Sequence, residues 1–176
     1  MSGTSLGSKA ASRRSHRPPE NAGVPAISDA DPLEGNAHTN ALVYAHDASE
    51  VHKQRVAQDV LHRLWADGSG VMSTQILQEF YSVATSKLKP AMSRSEAREV
   101  VELYSAWPVV LIAPPLILTA SRLQERYRLS FWDALMVEAA RVAGAERLLT
   151  EDLQDGQHIE GVRIEDPFRA QVPFRA

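Results

Sequence analysis

The sequence predicts an α/β fold built on a mainly parallel sheet. Three observations carry that expectation. Short apolar runs at residues 70–73, 109–113, 147–149 and 162–164 have the length of buried strands. Longer stretches of helical period alternate with them, as in βαβ architectures. Finally, the acidic cluster Thr150-Glu151-Asp152 follows a strand directly, and the carboxyl ends of parallel strands are where sites form in such sheets.

Each element has its own local reason. Residues 50–66 form a helix, with Val56, Val60, Leu64 and Trp65 near helical spacing and Asp67-Gly68 ending it. After the strand at 70–73, Ser73 or Thr74 caps the helix QILQEFYSVATSKL, which Pro90 stops. Ser93 and Glu96 make a capping-box pair that opens a helix running to about residue 107. Pro114-Pro115 turns the chain from the 109–113 strand into a helix over 116–127. The stretch SFWDALMVEAARVAGAERLLTED, residues 130–152, then reads as a buried helix, a glycine exit, a strand and an acidic strand end.

Composition bounds the function. A chain of 176 residues with 44% apolar residues suits one globular domain plus a tail. The formal net charge of -3 supplies no global attraction to nucleic acid, so such binding needs a local patch or metal ions. The absence of cysteine excludes disulfides and thiolate metal sites. No apolar run is long enough to span a bilayer, and a cytoplasmic location is the expectation. Residues 1–35 contain six Ser, four Gly and four Pro. Residues 1–37 are therefore expected to be a disordered or non-native tail, residues 38–168 the folded domain, and residues 169–176 a second tail.

Three acids are candidates for chemistry. At about 100° per residue, Asp133 falls between Val137 and Ala140 on the apolar side of its helix, whereas Glu138 and Arg141 fall on the polar side. A carboxylate on an apolar flank needs hydrogen bonds, a cation or a metal ion. Two roles fit Asp133: a cap acid paired with Ser130, or a member of a site. Glu79, beside the stripe of Ile76, Phe80 and Val83, reads alone as a solvated helix residue, and Asp152 alone as a turn cap. Their joint placement at one edge of a parallel sheet makes them candidates together. Carboxylates converging without His or Cys suit a hard cation, Mg²⁺ or Mn²⁺, and phosphodiester hydrolysis. No Walker-type glycine loop, dinucleotide fingerprint, nucleophile elbow or HExxH sequence competes.

The segments TNALVYAHD, STQILQEFYSVAT, SFWDALMVEAA and LLTEDLQDGQ, in this order and at these separations, resemble the PIN-domain family, and most of all its VapC-type toxins. The resemblance implies an α/β/α sandwich around a parallel sheet and a Mg²⁺- or Mn²⁺-dependent endoribonuclease with an RNA substrate. It also implies a homodimer neutralised by a small antitoxin protein. By motif, the metal-binding catalytic acids fall on Glu79, Asp133 and Asp152, with Asn40 and Thr150 as supporting polar residues and Asp155 as a loosely matched auxiliary acid. The family's first acid, an Asp that ends an apolar strand, corresponds to His38. Residues 32–37 do not read as a strand, so the first strand is expected to be missing or non-native, with residues 1–37 not the family's native start.

Two function classes follow: a metal-dependent ribonuclease, or a catalytically impaired PIN-fold remnant that keeps a binding role toward antitoxin or RNA. A receiver-like phosphoryl-transfer protein is a remoter reading, because no acid pair follows the first strand.

Overall fold

Position 38, where the resemblance places an altered acid, ends the strand at the middle of the sheet. The computed structural model describes residues 41–169 and the backbone of residues 35–38. Of the expected tails at 1–37 and 169–176, residues 1–34 and 170–176 lie outside the described residues, as do Thr39 and Asn40.

Strand β1 (Gly35–His38) is followed by α1 (Ala41–Tyr44), α2 (Val51–Asp67), β2 (Gly70–Ser73), α3 (Thr74–Ala84), α4 (Arg94–Tyr104) and β3 (Val109–Val110). Helices α5 (Pro114–Tyr127) and α6 (Phe131–Val142) lead to β4 (Ala145–Leu149), β5 (His158–Ile159) and β6 (Val162–Glu165). The sheet order is β3-β2-β1-β4-β6-β5. Among the described residues, every pairing is parallel except that of β5 with β6.

The expectation that the first strand is missing is corrected. Residues 35–38 pair with β2 on one side and β4 on the other, with Ala37 beside Val71 and Leu148 and with His38 beside Leu149. The sequence GNAH lacks the apolar run typical of a central parallel strand. Its backbone groups nevertheless complete both neighbouring ladders, which would otherwise leave buried donors and acceptors unpaired. The sheet therefore begins three residues before the expected domain start at 38.

Alternation along the strands sorts the interior into two cores. Val71, Val110, Leu148 and Ile164 face α5 and α6, with Leu116, Ala120, Leu135 and Val137. Met72 and Leu149 join the other core with Leu42, Leu61, Ile76, Phe80 and Trp107 from the α1–α4 side. This is the expected α/β/α sandwich. Among the described residues, no helix is long and apolar enough to cross a membrane.

The local reasons hold with small shifts. Gly68 ends α2 in the left-handed region at φ 65°, with its N–H on Leu64 C=O. Ser73 caps α3 by accepting the Ile76 N–H, and both halves of the Ser93–Glu96 capping box are formed. Strand β3 is shorter than expected: beyond Val110 the Ile112 N–H donates to Thr74 Oγ1 at 3.1 Å, and Pro114 then opens α5. The β5–β6 hairpin was not expected. Its two turn residues, Glu160 at φ 51° and Gly161 at φ 88°, both adopt positive φ, the geometry of a two-residue hairpin, but Glu-Gly lacks the usual Asn-Gly or Asp-Gly signal.

The amphipathic reading of α6 is corrected at Glu138. Its side chain is 2% exposed, not on a solvated face. The helix is enclosed along Ala134–Ala140 by the sheet and α5, so even its polar direction is covered. Arg141 makes this tolerable: its Nε and Nη2 donate to the two Glu138 oxygens at 2.8 Å each.

Candidate functional site

The strand order reverses at β1, whose neighbours are β2 and β4, and the carboxyl edge at such a switch point is where parallel sheets place their sites. Three features meet there. The register of His38 with Leu149 sets the ends of β1 and β4 level, immediately before Thr150. The end of β2 is Ser73, the cap of α3, and α3 carries Glu79. Helix α6 delivers the chain to the amino end of β4, so its own amino end, with Ser130 and Asp133, points back toward the carboxyl edge.

Thr150 is 1% exposed. Its N–H donates to the Glu165 carbonyl at 3.0 Å, and its Oγ1 accepts the Asp152 N–H at 3.1 Å. A buried hydroxyl thus fixes the backbone that carries Asp152. Asp152 and Glu79 are both exposed. Even so, neighbouring protein removes enough water from Glu79 to push its carboxyl above the ordinary range, and the negative charge of Asp152 pushes it further, with Lys87 opposing. The structure therefore brings Glu79 and Asp152 within electrostatic reach of each other.

Asp133 is half-buried and has found a local partner. Ser130 Oγ accepts the Asp133 N–H at 3.1 Å and donates to Asp133 Oδ2 at 2.7 Å. The cap explanation of Asp133 is thus realised. Among the described residues, no group of three His, Asp or Glu side chains stands close enough to hold a metal ion. The side chains of His38 and Asn40 are outside that description. The donor chemistry of the Glu79–Asp152 pair fits a hard cation, and the number of described donors falls short of a complete site. Asp155 serves elsewhere, its Oδ1 accepting the Asp166 N–H at 3.0 Å.

Sequence reasoning missed the surroundings of Glu151. This residue, between Thr150 and Asp152, bonds to Tyr44 of α1 and Lys53 of α2. Burial works against its charge, but the hydrogen bonds from Lys53 and Tyr44 outweigh it and hold the carboxyl below its ordinary range. The signal was faint: Glu151 was read only as part of an acidic cluster, and Tyr44 only as part of an apolar run.

A model of the PIN domain matches residues 38–154. The chain belongs to the PIN-domain family. The matched region spans β1's last residue to the turn after β4, and so includes Glu79, Asp133 and Asp152. Among solved structures, this PIN domain is similar to VapC20 of Mycobacterium tuberculosis, described as a sarcin–ricin loop cleaving toxin. The identity is 18% and the TM-score 0.46, covering 65% of this chain and 87% of that one. It is also similar to VapBC2 of Rickettsia felis, solved bound to a DNA fragment from their promoter. There the identity is 16% and the TM-score 0.49, covering 74% and 96% of the two chains. No curated protein matches the chain.

Proposed function

We propose that this PIN-domain protein is a metal-dependent endoribonuclease that hydrolyses RNA phosphodiester bonds at the carboxyl edge of β1 and β4. The observation that carries this reading is the electrostatic coupling of Glu79 to Asp152. A carboxylate whose proton affinity burial and a neighbouring carboxylate raise is stabilised in its charged form by a cation between the two, and an all-oxygen donor set selects Mg²⁺ or Mn²⁺. Glu79 and Asp152 would hold the ion, with Asp133 as the third acid and Asn40 as a supporting polar residue. A divalent ion in such a site supplies a hydroxide-like nucleophile at neutral pH and stabilises the leaving oxygen.

The chain's own residues prepare this chemistry. Thr150 fixes the Asp152 backbone from below, and Ser130 fixes the rotamer of Asp133 by a two-way contact. Glu79, raised above the ordinary carboxylate range by burial and by Asp152, must lose its proton before it can serve as a donor, so acid is expected to inhibit the site through Glu79. With a net charge of -3, attraction to RNA would rest on the bound cation and on local cations rather than on the whole molecule.

A catalytically impaired PIN-fold binding protein is the second reading. Two observations favour it: the histidine at position 38, and the absence of a three-donor group among the described residues. The experiment that separates the two is cleavage of a mixed RNA substrate by purified protein with Mn²⁺. The nuclease reading expects cleavage that Asp133→Asn and Glu79→Gln each abolish. Cleavage that survives both substitutions contradicts this site, and no cleavage by the wild type with any divalent ion leaves the binding reading.

The same proposal includes a homodimer and a small antitoxin protein as partners. The exposed apolar residues Leu111, Ile117 and Leu118, within eight positions of one another, provide area for the homodimer. Light scattering of the wild type against Leu118→Arg tests it.

A further inference from the structure

Glu151 stands one residue before Asp152, and its carboxylate turns away from that neighbour toward α1 and α2. Lys53 Nζ donates to Glu151 Oε2 at 2.6 Å, the Tyr44 hydroxyl donates to Glu151 Oε1, and Lys53 Nζ also donates to the Tyr44 oxygen at 3.1 Å. The three groups close a triangle that joins residues 98 and 107 positions apart in sequence. Aromatic walls flank it. Lys53 Nζ lies 4.4 Å from the centre of the Tyr44 ring, and Phe168 meets Tyr44 edge-on at 5.1 Å.

An isolated surface ion pair would hold little, because water competes for both partners. This one differs. The Lys53 and Glu151 side chains are 30% and 23% exposed, the ammonium serves two acceptors, and the phenol supplies a second donor to the same carboxylate. Such a closed, partly dry set orients its members better than a lone pair does. The turn after β4 is consequently held twice. Buried Thr150 holds it from the sheet side, and Glu151 is tied to the two helices. With both preceding residues fixed, the direction in which Asp152 leaves the turn is fixed as well.

We propose that Tyr44 and Lys53 are positioning residues that act through Glu151 to hold Asp152 in the geometry where it meets Glu79. The cation-binding part of this claim rests on the nuclease reading above; the holding of the turn does not. Outer groups that orient a metal-binding carboxylate change metal affinity about 10–100-fold when removed.

The test uses the full chain, with Lys53→Met, Lys53→Arg and Tyr44→Phe. Amide hydrogen exchange across residues 150–153 reads the turn, Mn²⁺ titration reads the site, and a thermal melt reads global stability. Lys53→Met and Tyr44→Phe are expected to speed exchange across 150–153 at least several-fold while leaving the sheet strands protected. Lys53→Met is expected to weaken Mn²⁺ binding at least 10-fold with little change in Tm, and Lys53→Arg to restore most of it. Unchanged exchange in both Lys53→Met and Tyr44→Phe overturns the proposal. Faster exchange with unchanged Mn²⁺ affinity overturns the positioning role and leaves only a structural tie. If the wild type itself binds no Mn²⁺, the nuclease reading fails and the positioning role fails with it. The exchange arm still decides whether the triangle holds the turn.

Discussion

Glu138, 2% exposed at the centre of α6, is held by both forks of the Arg141 guanidinium at 2.8 Å. Removing one partner of such a pair leaves a buried charge without compensation, which costs about 3–5 kcal/mol when both partners are buried. Arg141 is 44% exposed, so water softens the loss. Arg141→Met is expected to destabilise the fold by about 2–3 kcal/mol, and Glu138→Leu combined with Arg141→Met to recover most of it. Urea melts of the single and double variants check this. Equal losses in both would contradict the assigned pairing.

Gly70 opens β2 against the ring of Trp107, and a Cβ there would overlap three ring atoms. Trp107 is itself packed against Trp65 and Tyr104, with ring centres 5.0 and 5.1 Å away, so it has little room to retreat. Gly70→Ala is expected to cost about 1–3 kcal/mol, the usual scale of overpacking. The cost should shrink in a Trp107→Leu background, which denaturant melts of the four-member cycle would show.

The His46 imidazole packs on Phe80 with ring centres 5.5 Å apart, and burial lowers its pKa from the ordinary value. The folded state therefore binds its proton less readily than the unfolded chain. The stability this contributes is complete above the unfolded value near 6.5 and is lost as the pH falls through the lower, folded value. Part of the acid destabilisation below about pH 6.5 is expected to disappear in His46→Gln. Melts at pH 7.5 and pH 5 measure the difference; an identical pH dependence in the variant would contradict it.

Position 38 pairs with Leu149 at the end of β1, level with the start of the acidic turn. An added carboxylate there would supply charge to a donor set that is short of it. His38→Asp is expected to tighten Mn²⁺ binding about 10-fold or more, roughly 1.4 kcal/mol. Calorimetric titration checks this, and unchanged affinity would place position 38 outside the site.

Much of the sandwich was legible because strand and helix periods differ sharply and their caps are local. Gly70–Ser73 met its expected bounds, and Ser73, Ser93 and Ser130 cap as the sequence suggests. Strand β1 was illegible for a physical reason: GNAH is selected by the ladders on its two sides, a non-local cause with no trace in its own side chains. The burial of Glu138 was hidden similarly, since a helix wheel cannot tell how many neighbours will cover its polar side. At the site, the Thr150–Asp152 turn and the Glu79–Asp152 approach followed from the edge rule for parallel sheets. The triangle of Tyr44, Lys53 and Glu151 did not, because contacts between residues about a hundred positions apart leave no spacing to read.

Mn²⁺ titration of the wild type beside Asp152→Asn, Glu79→Gln and Asp133→Asn tests the central claim most directly. One Mn²⁺ per chain is expected for the wild type, with affinity reduced at least 10-fold by each of the three substitutions. Wild-type binding that all three variants retain undiminished would contradict a carboxylate-held cation at this edge of the sheet.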